Sequence, residues 1–212
     1  MSRKLVHLIS QAEIISTLKR LAVEIDRDYQ DHSLVLVGIL KGSFIFLADL
    51  VRELQIPIGN IEFIRLSSYG SSKVSSGQAK ITMSPPPEAI AGQDVVLIED
   101  IVDTGITTDT ALRYLKNFQP ASLRLCTLLD KPARRQVPVK IDYLGLTVED
   151  RFIVGYGIDF DQKYRQLPDI CYLEEEHHSG TSESPNHSLY QGSSANNELE
   201  LTALKHSGKS KS

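Results

Sequence analysis

The segment DVVLIED (94–100) constrains the fold most, because it is an apolar, β-branched run of strand length that ends in two carboxylates. A strand without polar alternation is buried on both faces, which is typical of parallel sheets covered by helices. LVLVGIL (34–40) is another continuous apolar run of strand length, and SLRLCTLL (122–129) is the next predicted strand after the 94–100 segment. Segments with helical spacing lie between these runs, and the alternation predicts an α/β fold with a central parallel sheet flanked by helices.

Periodicity and turn residues predict the remaining elements. Apolar residues recur at helical spacing from Ile14 to Ile25, after a capping-box pair formed by Ser10 and Glu13. Further helices are expected over 43–54 and from Ala111 to Phe118, and further strands over 60–67, 79–83, 141–148 and 151–157. The polar segment SSYGSSKVSSGQ (67–78) is predicted to be mobile.

The composition changes near the carboxyl terminus. From Glu174 onward, Ser, His, Asn, Gly and Glu dominate and large apolar residues are few. Such a segment buries too little apolar surface to offset the entropy of ordering it. We therefore predict one domain over 1–175 and a low-complexity, disordered tail over 176–212.

Charge and hydropathy exclude several functional classes. The 212 residues carry a net charge of −4 and have a pI of about 5.9, so no basic field attracts nucleic acid or an anionic membrane. The amino terminus lacks the apolar core of a signal peptide, and no stretch approaches the length of a membrane span. We expect a cytoplasmic protein that contacts neither nucleic acid nor membrane.

The segment VVLIEDIVDTGITT (95–108) carries the strongest chemical signal. Ligands of open α/β sheets bind at the carboxyl ends of the strands, where Glu99 and Asp100 are expected. Adjacent carboxylates there suggest ribose hydroxyls, Mg²⁺ or both, although alone they are also compatible with a solvated loop or a helix cap. The glycine- and threonine-rich turn that follows opens a helix and offers free N–H groups to a phosphate.

The residues VVLIEDIVDTGIT (95–107) resemble the phosphoribosyl pyrophosphate motif of the type I phosphoribosyltransferases throughout. Other segments resemble the hypoxanthine-guanine branch of that family in the same order, so that the similarity covers roughly residues 5 to 175. The resemblance implies the type I phosphoribosyltransferase fold with a small base-binding hood. It also implies small-molecule substrates, Mg²⁺ as cofactor and a homodimer or homotetramer.

The resemblance also implies which residues bind phosphoribosyl pyrophosphate. By this resemblance, the backbone of the turn at Lys41 and Gly42 contacts pyrophosphate, and Arg165 contacts it as well. Glu99 and Asp100 hold the ribose hydroxyls. The loop that anchors the 5-phosphate consists of Asp103, Thr104, Gly105, Ile106 and Thr107. Ser68 and Tyr69 resemble the start of a flexible loop that closes over the reacting centre. The implied metal-binding residues are Glu99, Asp100 and Asp159.

A second set of residues resembles the family's purine site. Lys131 corresponds to a lysine that donates to O6 of the base, which favours a 6-oxopurine over adenine. Phe152 corresponds to the aromatic residue that stacks on the purine, and Ile153, where the family commonly has valine, to a backbone contact with the ring edge. The resemblance also assigns Asp159 to the purine-binding residues, and Asp103 corresponds to the catalytic residue that assists proton movement at N7.

Without the resemblance, simpler interpretations compete for the same residues. Lys131 precedes a proline and is compatible with a surface lysine, while Phe152 and Ile153 alone favour sheet core. Arg134 and Arg135 are interpreted as solvated.

The sequence therefore predicts a purine-salvage enzyme that converts hypoxanthine, guanine or both into IMP or GMP. One alternative is a transcriptional or RNA-binding regulator that senses phosphoribosyl pyrophosphate on the same fold. Such a regulator is expected to have a basic face, and the sequence contains no long run of lysine and arginine. Another is a related enzyme that prefers xanthine, because O6 is common to all three bases and discrimination lies at C2.

Overall fold

The computed structural model describes residues 3–68 and 79–175, which all lie within one unit, residues 1–177. The helices are α1 (Gln11–Asp28), α2 (Phe44–Glu53) and α3 (Ile106–Lys116). The strands are β1 (Arg3–Ile9), β2 (Leu34–Leu40), β3 (Ile58–Ser68), β4 (Ala79–Met83), β5 (Asp94–Val102), β6 (Ser122–Asp130), β7 (Tyr143–Thr147), β8 (Ile153–Val154) and β9 (Ile170–Glu175). Tyr69 and the predicted tail lie outside the described residues, so that the flexible loop and the domain boundary stay predictions.

The central sheet has six strands in the order β4-β3-β2-β5-β6-β7. Strands β3, β2, β5, β6 and β7 pair in parallel, which confirms the predicted fold class. Strand β4 instead pairs antiparallel with β3 at one edge. Residues 69–78 between the two strands are too few for the crossover that a parallel connection needs.

Both faces of the central sheet are covered, which explains why its strands are apolar at consecutive positions. Leu36, Val96 and Ile98 belong to one core cluster together with the buried residues of α1 and α2. Their neighbours in sequence, such as Val37 and Leu97, belong to a second cluster together with α3. The alternation follows from the two-residue period of side chains along a strand.

A second, three-stranded sheet in the order β1-β9-β8 packs on the α1 and α2 side of the central sheet, since Ile9, Ile153 and Ile170 share that core cluster. Its strands pair antiparallel. Of the strand predicted over 151–157, only Ile153–Val154 is observed. It ends there because the chain turns with positive φ angles at Gly155, Tyr156 and Gly157. In the described part of the chain, no helix is long and apolar enough to cross a membrane.

Candidate active site

The predicted site residues meet at the carboxyl ends of the central strands. Lys41 follows β2, Asp103 follows β5 and Lys131 follows β6. The chain moves outward from β2 to β3 and β4 on one side, and from β5 to β6 and β7 on the other. The gap between β2 and β5 is therefore the topological switch point, where open α/β sheets bind their ligands.

Glu99 and Asp100 lie near the carboxyl end of β5. Both are buried, with only 6% and 8% of their surface exposed. Burial raises the pKa of Glu99 well above its ordinary value, and the negative charge of Asp100 raises it further. Burial likewise raises the pKa of Asp100. Glu99 Oε2 has no hydrogen-bond partner among the described residues. A buried carboxylate oxygen without a partner is costly, so the pair suits ribose hydroxyls or a divalent cation.

We expect the ligand-free Glu99→Gln variant to unfold at a higher temperature than the wild type at neutral pH. Because the folded-state pKa of Glu99 lies above its unfolded value, the folded protein binds the extra proton and stability falls as pH rises. The difference in melting temperature between the variant and the wild type should be smallest near about pH 4 and grow towards about pH 8. Each kcal/mol of destabilisation that the substitution removes should raise the melting temperature by about 2–4 °C. Thermal unfolding over this range measures it.

Glu88→Gln is the matched control, because Glu88 is an exposed carboxylate in the 3₁₀ turn Pro87–Ala89. It makes the same change from a carboxyl group to an amide without relieving burial. Equal melting temperatures for Glu99→Gln and the wild type at every pH would show that the buried carboxyl pair carries no such cost.

The loop that follows β5 forms an open helix terminus. Helix α3 begins at Ile106 without a side-chain hydrogen bond from its N-cap residue. The Ile106 N–H group donates to Thr104 Oγ1 at a long 3.4 Å, and the N–H groups of Thr107 and Thr108 that follow are available to an anion. Gly105 precedes it with φ of 83°, and a Cβ there would lie 2.4 Å from the Val137 carbonyl oxygen. The Thr104 carbonyl accepts hydrogen bonds from the N–H groups of Gln136 and Val137. Residues 103–107 thus form a supported, anion-accepting turn in which only glycine fits at 105.

Asp103 and Lys131 form an ion pair next to this turn, with 3.0 Å between Nζ and Oδ2. Lys131 is only 5% exposed, so the interpretation of a surface lysine is wrong. The other carboxylate oxygen, Asp103 Oδ1, is buried and has no hydrogen-bond partner among the described residues. A buried donor and a carboxylate 3.0 Å apart match the spacing of adjacent polar atoms on one edge of a heterocyclic base.

Phe152 and Ile153, the two residues predicted to contact the base at the start of β8, differ in exposure. Ile153 is buried in the core, which leaves its backbone but not its side chain for a ligand. Phe152 is 50% exposed, so the interpretation of both residues as core holds only for Ile153. The Phe152 ring meets Phe160 edge to face, with 5.1 Å between ring centroids. Lys131 Nζ donates to the carbonyl oxygen of Arg151, the residue before Phe152, at 3.5 Å. The exposed part of the Phe152 ring can stack on a planar ligand.

Three backbone segments touch at the switch point. A Cβ on Gly42 would lie 1.9 Å from Asp100 Oδ2, and a Cβ on Gly157 would lie 2.2 Å from the Gly42 carbonyl oxygen. The Leu40–Lys41 peptide bond, just before Gly42, is cis. The turn after β2, the end of β5 and the loop after β8 are thus in direct contact.

The loop after β8 carries Arg165 into the same region. Arg165 pairs with Asp159 at 2.7 Å and donates to the Gly157 carbonyl at 2.7 Å. Lys41 Nζ donates to Gln162 Oε1 at 3.0 Å. Two cationic side chains, Lys41 and Arg165, therefore lie together, and Gln162, which was not predicted, lies between them.

The carboxylates predicted as metal-binding residues do not form a ready-made cage. Within residues 3–68 and 79–175, no group of three or more His, Cys, Asp or Glu side chains could hold a metal ion. Asp159 is occupied by Arg165 and by the Gln162 N–H group. Mg²⁺ nonetheless needs only one or two carboxylates when substrate phosphates supply other ligands, and the buried Glu99 and Asp100 pair fits that requirement.

The prediction that Arg135 is solvated is wrong. Its guanidinium donates to the carbonyl oxygens of Asp103 at 3.1 Å and Val102 at 3.0 Å, and it pairs with Asp130. Arg134, in contrast, is half exposed and pairs with Asp150. Arg135 fixes the backbone that carries Asp103, a contact that sequence spacing does not reveal because the partner groups are carbonyls.

Comparisons with known proteins agree with this geometry. Residues 8–161 match the family model described as phosphoribosyl transferase domain. The hypoxanthine phosphoribosyltransferase of Salmonella typhimurium is 44% identical over 163 residues, which are 76% of this chain and 90% of that protein. A crystal structure of a hypoxanthine-guanine phosphoribosyltransferase from Bacillus anthracis has a TM-score of 0.73 at 40% identity, covering 78% of this chain and 96% of that one.

A further solved structure is similar over much of its length. It is a Trypanosoma cruzi hypoxanthine phosphoribosyl transferase from work on the role of its C-terminal region in oligomeric state and enzymatic activity. Its TM-score is 0.73 at 39% identity, and the match covers 79% of this chain and 90% of that one. Since the family model spans most of the chain and a relative is 44% identical over 76% of it, the chain belongs to the phosphoribosyl transferase family.

Proposed function

We propose that the protein is a purine-salvage phosphoribosyltransferase that converts hypoxanthine, guanine or both, with 5-phosphoribosyl 1-pyrophosphate, into IMP or GMP and pyrophosphate. The observation that carries this proposal is the ion pair between the buried Lys131 and the partly exposed Asp103, with 3.0 Å between its charged atoms at the carboxyl edge of the sheet. A 6-oxopurine presents O6 and N7 side by side, and the pair offers a donor and a proton acceptor side by side. The names of the relatives support the same activity.

The roles follow from the reaction. Lys131 donates to O6, while Asp103 accepts the proton from N7 as N9 forms a bond to C1 of the ribose. The bond from C1 to pyrophosphate breaks, and the departing negative charge is stabilised by Lys41 and Arg165. Phe152 stacks on the base. No covalent intermediate with the protein is required, so positioning and fixed charge supply the acceleration.

The rest of the sugar phosphate fits the remaining groups. The turn over residues 103–107 takes the 5-phosphate at the start of α3, and the Glu99 and Asp100 oxygens take the ribose hydroxyls. Ile153 presents its backbone to the ring edge, and the Gly42 backbone contacts the pyrophosphate group. Water exclusion by a loop beginning at Ser68 and Tyr69 belongs to the same proposal, since a cationic sugar is open to hydrolysis.

Magnesium completes the proposed site. Glu99 and Asp100 would hold it, with Asp159 as a further carboxylate on the side of the loop after β8. When bound, the ion supplies positive charge that balances the pyrophosphate group. Glu99 Oε2, which has no hydrogen-bond partner within residues 3–68 and 79–175, supports this assignment.

Two finer points belong to the same proposal. We expect a homodimer or homotetramer in the cytoplasm, with small-molecule substrates and neither nucleic acid nor membrane as partner. The regulator alternative has no supporting observation, because the similar proteins are named as enzymes. The xanthine alternative is kept, since the contacts at C2 decide it.

The test is steady-state nucleotide formation with Mg²⁺, phosphoribosyl pyrophosphate and a panel of hypoxanthine, guanine, xanthine and adenine. We expect turnover of hypoxanthine or guanine but not of adenine. Lys131→Met should lower kcat/KM for the oxopurine about 10- to 100-fold, because a hydrogen bond from a charged donor is lost. Lys140→Met, at an exposed lysine, is the control that should leave kcat/KM unchanged.

Each outcome of the panel discriminates between the proposals. Turnover of xanthine alone would favour the related enzyme. Tight binding of phosphoribosyl pyrophosphate without turnover of any base would overturn the enzyme and favour the regulator. Equal loss for Lys131→Met and Lys140→Met would overturn the role of Lys131 in selecting the base.

A further inference from the structure

Gln162 occupies a position between two cationic side chains. Its Oε1 accepts a hydrogen bond from Lys41 Nζ at 3.0 Å and lies 3.4 Å from an Arg165 guanidinium nitrogen that donates to it. Lys41 comes from the turn after β2, whereas Arg165 comes from the loop after β8. One amide oxygen thus joins cations from two separate parts of the chain.

The backbone of Gln162 is held in place for this contact. Its N–H group donates to Asp159 Oδ2 at 2.8 Å, while Asp159 Oδ1 pairs with Arg165 at 2.7 Å. Gln162 itself has φ of 62°, in the left-handed region that glycine and asparagine tolerate better than glutamine. A glutamine kept in a strained conformation, where a shorter amide fits the backbone better, indicates that the length of its side chain matters.

The charge of the group also matters. Among the described residues, Lys41 Nζ has no carboxylate partner, and Gln162 supplies a neutral acceptor instead. A carboxylate at this position would neutralise Lys41 and compete with an anionic ligand. An amide oxygen holds the ammonium group in place and leaves its positive charge intact, and it yields readily to a more negative oxygen.

We propose that Gln162 is a positioning residue for the diphosphate group, which keeps Lys41 and Arg165 together until phosphate oxygens of phosphoribosyl pyrophosphate replace its amide oxygen. This inference rests on the proposed function, because that function assigns Lys41 and Arg165 to pyrophosphate. It predicts that Gln162 affects recognition of the diphosphate and not of the base.

The experiment compares Gln162→Glu and Gln162→Asn with the wild type. Gln162→Glu places a carboxylate against both cations, and we expect KM for phosphoribosyl pyrophosphate to rise about 10-fold through this competition, with kcat and KM for the base nearly unchanged. Gln162→Asn keeps the amide but shortens its reach. It should raise the same KM about 3-fold without lowering the melting temperature, because asparagine tolerates the positive φ.

The matched control is Gln93→Glu, which adds the same charge at an exposed glutamine before β5, at the opposite edge of the sheet. Calorimetric titration of each variant with magnesium pyrophosphate gives a second readout that does not depend on turnover. The inference is overturned if Gln162→Glu matches Gln93→Glu in both readouts. It is also overturned if both Gln162 variants lose melting temperature and affect kcat and both KM values alike, as a purely structural residue would.

Failure of the proposed function gives a different result. In that case the wild type turns over no base in the panel, whatever the behaviour of Gln162. A wild type that is active, with variants that leave KM for phosphoribosyl pyrophosphate unchanged, rejects the role of Gln162 alone.

Discussion

Replacing Asp103 with asparagine should lower kcat for hypoxanthine about 10²- to 10⁴-fold, the range expected when a general base is removed. The amide keeps the size of the side chain and still accepts a hydrogen bond from Lys131, which lies 3.0 Å from Asp103 Oδ2. It cannot accept the proton from N7 as N9 attacks C1. Single-turnover and steady-state rates with hypoxanthine measure the loss.

Two controls separate chemistry from folding in the Asp103→Asn variant. Asp31→Asn removes the same charge from an exposed carboxylate in the loop between α1 and β2, and it should keep full activity. Titration with phosphoribosyl pyrophosphate should show binding close to that of the wild type, since the backbone of the turn is held by Arg135. A kcat within about 5-fold of the wild type would reject general-base catalysis by Asp103.

The central sheet was predictable because its sequence signal is local and strong. Val95, Val96, Leu97 and Ile98 are all completely buried, and four consecutive apolar residues in a strand require cover on both faces. The edge of that sheet was also predictable, because strand direction determines which end carries Glu99 and Asp100. The antiparallel pairing of β4 was not predictable from its own residues, since the direction of β4 depends on the length of the connection from β3.

Two strands of the second sheet, β1 and β9, escaped prediction, whereas β8 lies within the strand predicted over 151–157. The sequence signal of β1 is weak. Most residues of β1 are exposed, and its burial alternates only towards Ile9. It gains its hydrogen bonds from β9, whose residues lie more than 160 positions away in the chain. No local sequence pattern predicts that strands at the two ends of a domain will pair.

The same limit applies to the parts of the site that sequence reasoning missed. Lys131 and Asp103 were each predicted from the family resemblance, whereas their ion pair requires β5 and β6 to end side by side. Arg135 acts on carbonyl oxygens and Gln162 on cations from another loop. Contacts to backbone groups and contacts between loops produce no recognisable residue pattern in the sequence. Only the folded chain reveals them.

Substitution of Gly42 by alanine should raise KM for phosphoribosyl pyrophosphate about 100-fold, comparable to other displacements of about 1 Å in a reacting site. A Cβ at this position would lie 1.9 Å from Asp100 Oδ2 and 2.5 Å from its Cγ, so the carboxyl group has to move. The displaced carboxyl group can no longer meet the ribose hydroxyls or a cation. Steady-state kinetics with varied phosphoribosyl pyrophosphate measure the change.

The predicted effect of Gly42→Ala comes from a steric clash of the added Cβ and not from backbone conformation. Substitution of a second glycine tests this distinction. Gly92 has φ of 69° but no atom within 4 Å of its missing Cβ, whereas Gly42 has no positive φ. Gly92→Ala should therefore lower the melting temperature through strain while KM stays unchanged. In an Asp100→Ala background, Gly42→Ala should lose most of its effect on KM, because the colliding carboxyl group is gone. Additive effects of the two substitutions would show instead that Gly42 contacts pyrophosphate without acting through Asp100.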